Sequence, residues 1–147
     1  MKICRVCGLN ATCAEELSLF KKNKGSLLGV EDRCKVCHNL AKVEWNRTKK
    51  GKIYKIYSKQ VQSSKKRNMP LPTYSKEELY EWLMASQEFH HIFNLWIISG
   101  YDTRLAPSID RANPYKPYTF DNIEIMTWNE NDIKGRAERK VLKSLKG

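Results

Sequence analysis

The chain has 147 residues, a formal net charge of +11 and 41% hydrophobic residues, including four Trp and seven Tyr. This length suits one ordinary domain or two very small ones, and the apolar content excludes wholesale disorder. No run approaches the roughly 18 consecutive apolar residues of a membrane span, so no membrane association is expected. The first residues lack the apolar stretch of a secretory signal, so a cytoplasmic location is expected.

The positive charge is confined to the first half of the chain. Residues 1–75 hold 17 Lys and Arg against 5 Asp and Glu, whereas residues 76–147 hold 10 against 11. Such a one-sided basic segment indicates a polyanionic partner, meaning DNA, RNA or an anionic membrane surface. Composition divides the chain into three segments, 1–45, 46–74 and 75–147.

The first segment contains all five cysteines. Cys4 with Cys7 and Cys34 with Cys37 form two Cys-x-x-Cys pairs, separated by 26 residues. A two-residue gap lets both thiolates of a pair reach one metal ion, and two pairs supply the ligands of a closed tetrahedral zinc site. We therefore expect a structural Zn²⁺, with four reduced cysteines and no metal as the alternative. The fifth, Cys13, is expected to be a free thiol.

The second segment, 46–74, is the basic one. From Asn46 to Arg67 it has nine basic residues and no acidic residue. We expect a helix, or an arm that becomes ordered on a nucleic acid, that contacts DNA through its phosphates. The expected DNA-binding residues are Lys49, Lys50, Lys52, Lys55, Lys59, Lys65, Lys66 and Arg67.

The third segment predicts helix, strand, loop, strand and helix, so the expected fold class is α+β. Ser75 and Glu78 form a capping box before an apolar stripe of one long helix or two short ones. Residues 105–109 and 123–127 predict strands on either side of a proline-rich loop. From Asn129 onward, apolar residues recur every four positions and predict a terminal helix. These apolar residues are Ile133, Ala137, Val141 and Leu145.

Polar residues gather around the predicted strands. Asp110 follows the first strand directly, and Asn131 lies in the first turn of the terminal helix, so both can face one groove. A carboxylate and an amide carbonyl, with positions left for water, suit a hard cation such as Mg²⁺. An ordinary turn residue and a helix-cap residue are the alternative. Asn122 is placed to hold the loop by side-chain to backbone hydrogen bonds.

These residues carry a resemblance to a known family. The chain resembles the HNH endonucleases of bacteriophages, of the ββα-metal or His-Me finger group, in Pro-Ser-Ile-Asp-Arg (107–111), Tyr-Thr-Phe-Asp-Asn-Ile (118–123) and Met-Thr-Trp-Asn-Glu-Asn (126–131). The cysteine pairs resemble the zinc-ribbon-like module that often precedes such a nuclease unit. The resemblance implies a nuclease domain over 75–147 that nicks or cleaves double-stranded DNA, such as a homing endonuclease, in the host cytoplasm.

The resemblance also implies roles for single residues. Asp110 and Asn131 would bind a catalytic Mg²⁺ or Mn²⁺, and Asn122 would shape the loop. The family's histidine general base normally follows the metal-binding Asp, and here that position holds Arg111. Because arginine stays protonated, Arg111 cannot accept a proton and is expected to clamp the scissile phosphate or stabilise the developing charge.

Three outcomes follow from this departure. His90 or His91 could act as the base, the cation could activate water without a side-chain base, or the domain could bind DNA without cutting it. The leading expectation is an endonuclease that works as a monomer without a small-molecule cofactor. The alternatives are a catalytically inactive, zinc-containing DNA-binding protein and, more weakly, an RNA-binding protein.

Overall fold

The computed structural model describes residues 1–146, which form six α-helices, one 3-10 helix and three two-stranded antiparallel sheets. The α+β class expected from the sequence is confirmed. The chain divides into two compact units, with the boundary between Thr48 and Lys49. None of the helices within the described range combines the length and apolarity needed to cross a membrane.

The first unit is built from short elements. They are β1 (Lys2–Ile3), β2 (Asn10–Ala11), α1 (Ala14–Leu17), β3 (Phe20–Lys22), β4 (Val30–Cys34) and α2 (Lys35–Asn46). Strand β1 pairs with β2, and β3 pairs with β4, both antiparallel. The buried cluster is small and consists of Cys4, Ala11, Phe20, Val30 and Cys34. A core of this size buries little apolar surface, so a unit of this kind needs a further source of stability.

The second unit contains the larger elements. They are α3 (Lys49–Lys66), α4 (Lys76–Met84), α5 (Gln87–Ile98), the 3-10 helix (Thr103–Leu105), β5 (Pro107–Arg111), β6 (Ile123–Thr127) and α6 (Trp128–Lys146). Strands β5 and β6 form a hairpin in continuous register, from Pro107 opposite Thr127 to Arg111 opposite Ile123. Helix α6 follows β6 without a break. The C-terminal part of this unit is therefore a strand–strand–helix arrangement.

The predicted apolar stripe forms two helices. The Ser75 hydroxyl accepts a hydrogen bond from the Glu78 backbone N–H, and the Glu78 carboxylate accepts one from the Ser75 N–H, each at 3.1 Å. This capping box begins α4 as the sequence predicts. A second cap, Ser86, accepts from the Phe89 N–H at 3.2 Å and begins α5. Both helices pack their apolar faces into one core with α3 and the β5–β6 hairpin.

The basic segment 46–74 was predicted as a helix or as an arm that becomes ordered on a nucleic acid, and it contains a helix that packs into the core of the second unit. Helix α3 buries five residues, and four of them recur at helical spacing: Ile53, Ile56, Gln60 and Ser64. Because these positions recur every three or four residues, they form one face that belongs to the core of the second unit. The basic segment is therefore a packed helix with a charged outer surface. The boundary lies after Thr48 rather than after residue 45.

The terminal helix forms where the sequence predicts it, but its apolar stripe is not buried. No residue of α6 is buried, and Ile133, Val141 and Leu145 are all exposed. The spacing of apolar residues sets which face of a helix they share, but it does not supply a partner for that face. Helix α6 contacts β5, β6 and the 3-10 helix.

Candidate functional site

The four cysteines predicted as zinc ligands lie together. Their Sγ atoms are all within 4.8 Å of one another, and Cys7 Sγ lies 3.7 Å from Cys34 Sγ. A tetrahedral zinc site with Zn–S bonds of about 2.3 Å has S–S edges of about 3.8 Å. Cys13 is exposed and lies outside the cluster. The sulfur set can therefore bind a metal ion such as Zn²⁺.

Local backbone geometry brings these thiols together. Cys4 and Cys7 lie on a tight turn after β1, which the Gly8 N–H closes by donating to the Cys4 carbonyl at 2.9 Å. Gly8 has φ +77°, a left-handed conformation that favours glycine. Cys34 ends β4, and Cys37 lies in the first turn of α2. The turn after β1 therefore holds Cys4 and Cys7 close together, and the change from β4 to α2 does the same for Cys34 and Cys37.

The thiols differ in acidity before any metal binds. Backbone N–H groups of Cys7 and Cys34 donate toward Cys4, the latter at 3.3 Å from Sγ, and they lower the pKa of the Cys4 thiol to about 6. Hydrogen bonding with the Cys7 thiol, together with burial, raises the pKa of Cys37 to about 12. Cys4 is therefore the more readily ionised of these two thiols, and metal binding releases the protons of the thiols that are still protonated.

Asp110 and Asn131 line one groove of about 840 Å³ beside α6. Alternation along β5 directs Ser108 and Asp110 to the same face of the hairpin. Helix α6 meets that face, since Asn131 Nδ2 donates to Ser108 Oγ at 2.8 Å. The structure therefore brings the two predicted cation ligands to one groove, with the Asn131 side-chain oxygen left as an acceptor.

Lys134 is a member of this site that the sequence reasoning missed. Its Nζ lies 3.0 Å from Asp110 Oδ2 and 3.7 Å from Glu124 Oε2, and it donates to the Arg111 carbonyl at 2.8 Å. Burial disfavours the ammonium, but the hydrogen bond to Asp110 and the surrounding carboxylates outweigh it and raise the pKa of Lys134. A positive charge thus lies against Asp110. Lys134 could have been found from the sequence, because it follows Asn131 by three residues and so lies on the same face of the terminal helix.

Asn122 holds the loop between the strands. Its Nδ2 donates to the carbonyls of Asn113 and Pro117 at 3.1 and 3.0 Å, and its Oδ1 accepts from the Asn113 N–H at 2.9 Å. The side chain is buried, so these bonds form away from competing water. The Asn122 side-chain amide therefore fixes the conformation of the loop between β5 and β6.

Arg111 was expected to clamp a phosphate because an arginine cannot act as a base, but its side chain packs into the protein interior. The residue is 5% exposed, and its guanidinium lies 5.1 Å from the centroid of the Tyr118 ring. Its Nη1 donates to the Lys116 carbonyl at 3.3 Å and contacts Met69 Sδ at 3.0 Å. Because β5 extends through Arg111, this side chain points away from the face that carries Asp110. Arg111 therefore braces the loop from the core, although the residue borders the same groove.

The two histidines proposed as the base do not lie in the groove. His90 Nε2 donates to the Met84 carbonyl at 2.8 Å, and His90 Nδ1 lies 2.8 Å from Lys49 Nζ. Both ring nitrogens are thus engaged in holding α3, α4 and α5 together. His91 is exposed. Neither ring lines the Asp110 groove, as far as the described residues show.

The eight basic residues of the second segment have different surroundings. Lys49 Nζ lies 5.5 Å from the Phe93 ring centroid, and Lys50 Nζ lies 5.7 Å from that of Tyr54. Arg67 borders the Asp110 groove. The remaining five are exposed or half-buried along α3: Lys52, Lys55, Lys59, Lys65 and Lys66.

Comparisons of this chain with protein-family models, with curated proteins and with solved structures found no match. The likeness to HNH endonucleases therefore stays a prediction from the residues themselves. Function has to be inferred from the geometry of the two side-chain clusters.

Replacing Asn122 by Asp should destabilise the second unit. The change keeps one acceptor but removes both donors and places a carboxylate against two carbonyls, at an expected cost of about 3 kcal/mol in unfolding free energy. Urea denaturation would measure this loss, and hydrogen exchange should show weaker protection over 112–121. Asn129→Asp, an exposed amide on the same segment, should change stability by less than about 0.5 kcal/mol. Equal effects of the two substitutions would contradict the role assigned to Asn122.

Proposed function

We propose that this chain is a metal-dependent DNA endonuclease of the HNH type, with a zinc-binding unit at its N-terminal end. The observation that carries the proposal is one groove beside α6, lined by Asp110 and Asn131 and bordered by the loop that Asn122 holds. The basic helix α3 in the same unit supports a polyanionic substrate. The role of each residue follows from its contacts.

The donor set fits a divalent cation. Asp110 offers a carboxylate, and Asn131 offers its side-chain oxygen because its Nδ2 is used on Ser108. The Lys134 ammonium at 3.0 Å from Asp110 shows that this position favours positive charge. A cation held there would stabilise the negative charge that develops on the phosphate and the leaving 3′ oxygen.

The chain's own residues would supply the remaining steps. Arg67 and Arg139 line the groove and would hold the DNA backbone on either side of the cut. No imidazole lines the groove among the described residues, so the proton of the attacking water needs another acceptor. Glu138 lines the groove, and its Oε1 lies 4.0 Å from Lys134 Nζ. We assign the acceptor role to this carboxylate.

A second function has support from the same residues. The Arg111 guanidinium is packed against Tyr118, and both candidate histidines lie outside the groove. These features favour a protein that binds DNA without cutting it. The two functions differ in one measurable property, the cleavage of a phosphodiester bond.

Plasmid cleavage separates the two functions. The wild-type protein should nick supercoiled DNA with Mg²⁺ or Mn²⁺, and Asp110→Asn or Asn131→Ala should reduce the rate at least about 100-fold because each removes a cation ligand. Asn129→Ala, two residues before Asn131 and exposed, is the matched control and should keep the wild-type rate. DNA binding without nicking would support the second function. Equal nicking by every variant would identify a contaminating nuclease and would refute the assignment.

Removal of the Lys134 charge tests the cation position. Lys134→Met should tighten the binding of Mn²⁺ to the second unit about tenfold, because a competing positive charge next to Asp110 disappears. Isothermal titration with Mn²⁺ would measure the change. Lys140→Met removes the same charge from an exposed position of α6 and should have little effect. Unchanged or weaker binding in the Lys134 variant would contradict a cation site at Asp110.

We also propose that the first unit is held together by one Zn²⁺. Its buried core is a five-residue cluster that includes Cys4 and Cys34, so the sulfur atoms form part of the core itself. A metal bound to four thiolates would join the turn after β1, the end of β4 and the first turn of α2. Metal binding would then supply much of the folding free energy of this unit.

Zinc content tests this part of the proposal. Elemental analysis should give about one zinc per chain by the ligand count, and Cys7→Ser should abolish it or lower it sharply. Cys13→Ser should retain the metal, because Cys13 lies outside the cluster. Chelation should unfold the first unit, and acidification should release the metal as the thiolates become protonated. Folded, metal-free protein at neutral pH would refute the zinc site.

A further inference from the structure

A second cavity in the 49–146 unit is separate from the Asp110 groove, although Trp128 and Asn131 line both. Its volume is about 450 Å³, and it lies between α3, the end of α5 and the first turn of α6. None of the residues that line it is Asp or Glu. We call it the lysine cavity, after Lys52, Lys55 and Lys59. The other residues that matter are Gln60, Trp96, Trp128 and Asn131.

The three lysines form one cationic face. Their spacing of three and four residues places them on the same side of α3. No carboxylate lies within ion-pair distance of any of them in the described part of the chain. Burial, together with the charges of Lys55 and Lys59, lowers the pKa of Lys52 to about 8. An anion bound there would relieve this repulsion.

Two residues that line the cavity each carry a buried side-chain N–H donor without a partner in the described part of the chain. These donors are Gln60 Nε2 and Trp96 Nε1, on residues that are 3% and 6% exposed. The Gln60 Oε1 is already used, because it accepts from the Tyr74 hydroxyl at 2.8 Å. A buried donor without an acceptor costs about 1–3 kcal/mol. The cavity therefore has an excess of donors, and it suits a ligand rich in acceptor oxygens.

Indole rings add a flat apolar surface to this charged cavity. Lys52 Nζ lies 4.8 Å from the centroid of the Trp96 ring, which leaves Trp128 as the more accessible indole. Indole faces stack on nucleobases, with little dependence on sequence. Lysines beside an indole thus match a ligand that joins a phosphate to an aromatic base.

We propose that the lysine cavity binds one unpaired nucleotide, with its phosphate against Lys52, Lys55 and Lys59 and its base against Trp128. Trp128 and Asn131 line both this cavity and the Asp110 groove, so the bound nucleotide would lie close to the cutting site. The identification of the source as a DNA strand rests on the proposed function. The binding itself does not require cleavage.

Binding measurements without added divalent cations test the proposal. The probes are a ten-residue oligothymidylate, a 20-base-pair duplex, free thymidine monophosphate and inorganic phosphate. Lys55→Gln with Lys59→Gln should weaken oligothymidylate binding about 30-fold, as expected if two charged contacts are lost. Lys140→Gln with Lys143→Gln removes the same charge from exposed positions of α6 outside the cavity and should weaken it less than threefold. All four side chains are exposed, so both variants should fold.

The outcomes separate the possibilities. Tighter binding of the oligonucleotide than of the duplex, lost selectively in the cavity variant, supports a nucleotide from a DNA strand. Equally tight binding of free thymidine monophosphate, lost in the same variant, supports the site with a free nucleotide as its source. Equal weakening in both variants, or equal binding of inorganic phosphate, would overturn the proposal. These assays contain no divalent cation and measure binding alone, so a failure of the nuclease assignment leaves their result interpretable.

Discussion

The alternation of side chains along β5 is the constraint on which the second unit depends. Ser108 and Asp110 face α6, whereas Ile109 and Arg111 face the core. The continuous register with β6 fixes this choice, because a shift by one residue would exchange the two faces. The carboxylate consequently lies in an open groove, and the guanidinium lies against Tyr118.

Each unit holds like charges or thiols close together, which lowers its stability. A bound ligand could offset this loss. The carboxylates around Lys134 are balanced within the chain by that ammonium. Within residues 1–146, no carboxylate lies within ion-pair distance of a lysine of α3. In the first unit, hydrogen bonds lower the pKa of the Cys4 thiol to about 6. The carboxylates at the proposed cation site are therefore balanced by Lys134. The positive charges of α3, which would contact phosphate, have no such balance.

The capping box at Ser75 was predictable because it depends on neighbours along the chain. The thiol cluster and the shared groove of Asp110 and Asn131 join distant residues, but the spacing of the two Cys-x-x-Cys pairs and the order of strand, loop and helix predicted them. Contacts between distant residues that no such pattern marks were missed. The contacts of His90 come from α3 and α4, and those of Lys134 depend on how α6 is rotated against the hairpin. The side occupied by Arg111 was missed because the expected strand ended at residue 109, two residues too early.

One turn of helix forms a wall shared by two openings. Trp128 and Asn131, both in the first turn of α6, line the Asp110 groove on one side and the lysine cavity on the other. The backbone N–H of Trp128 donates to the Ala106 carbonyl at 2.8 Å, and this bond holds the turn next to the start of β5. A ligand that displaces the wall from one side changes the shape of the other opening. Thermodynamic linkage then requires that the two ligands alter each other's affinity by the same factor.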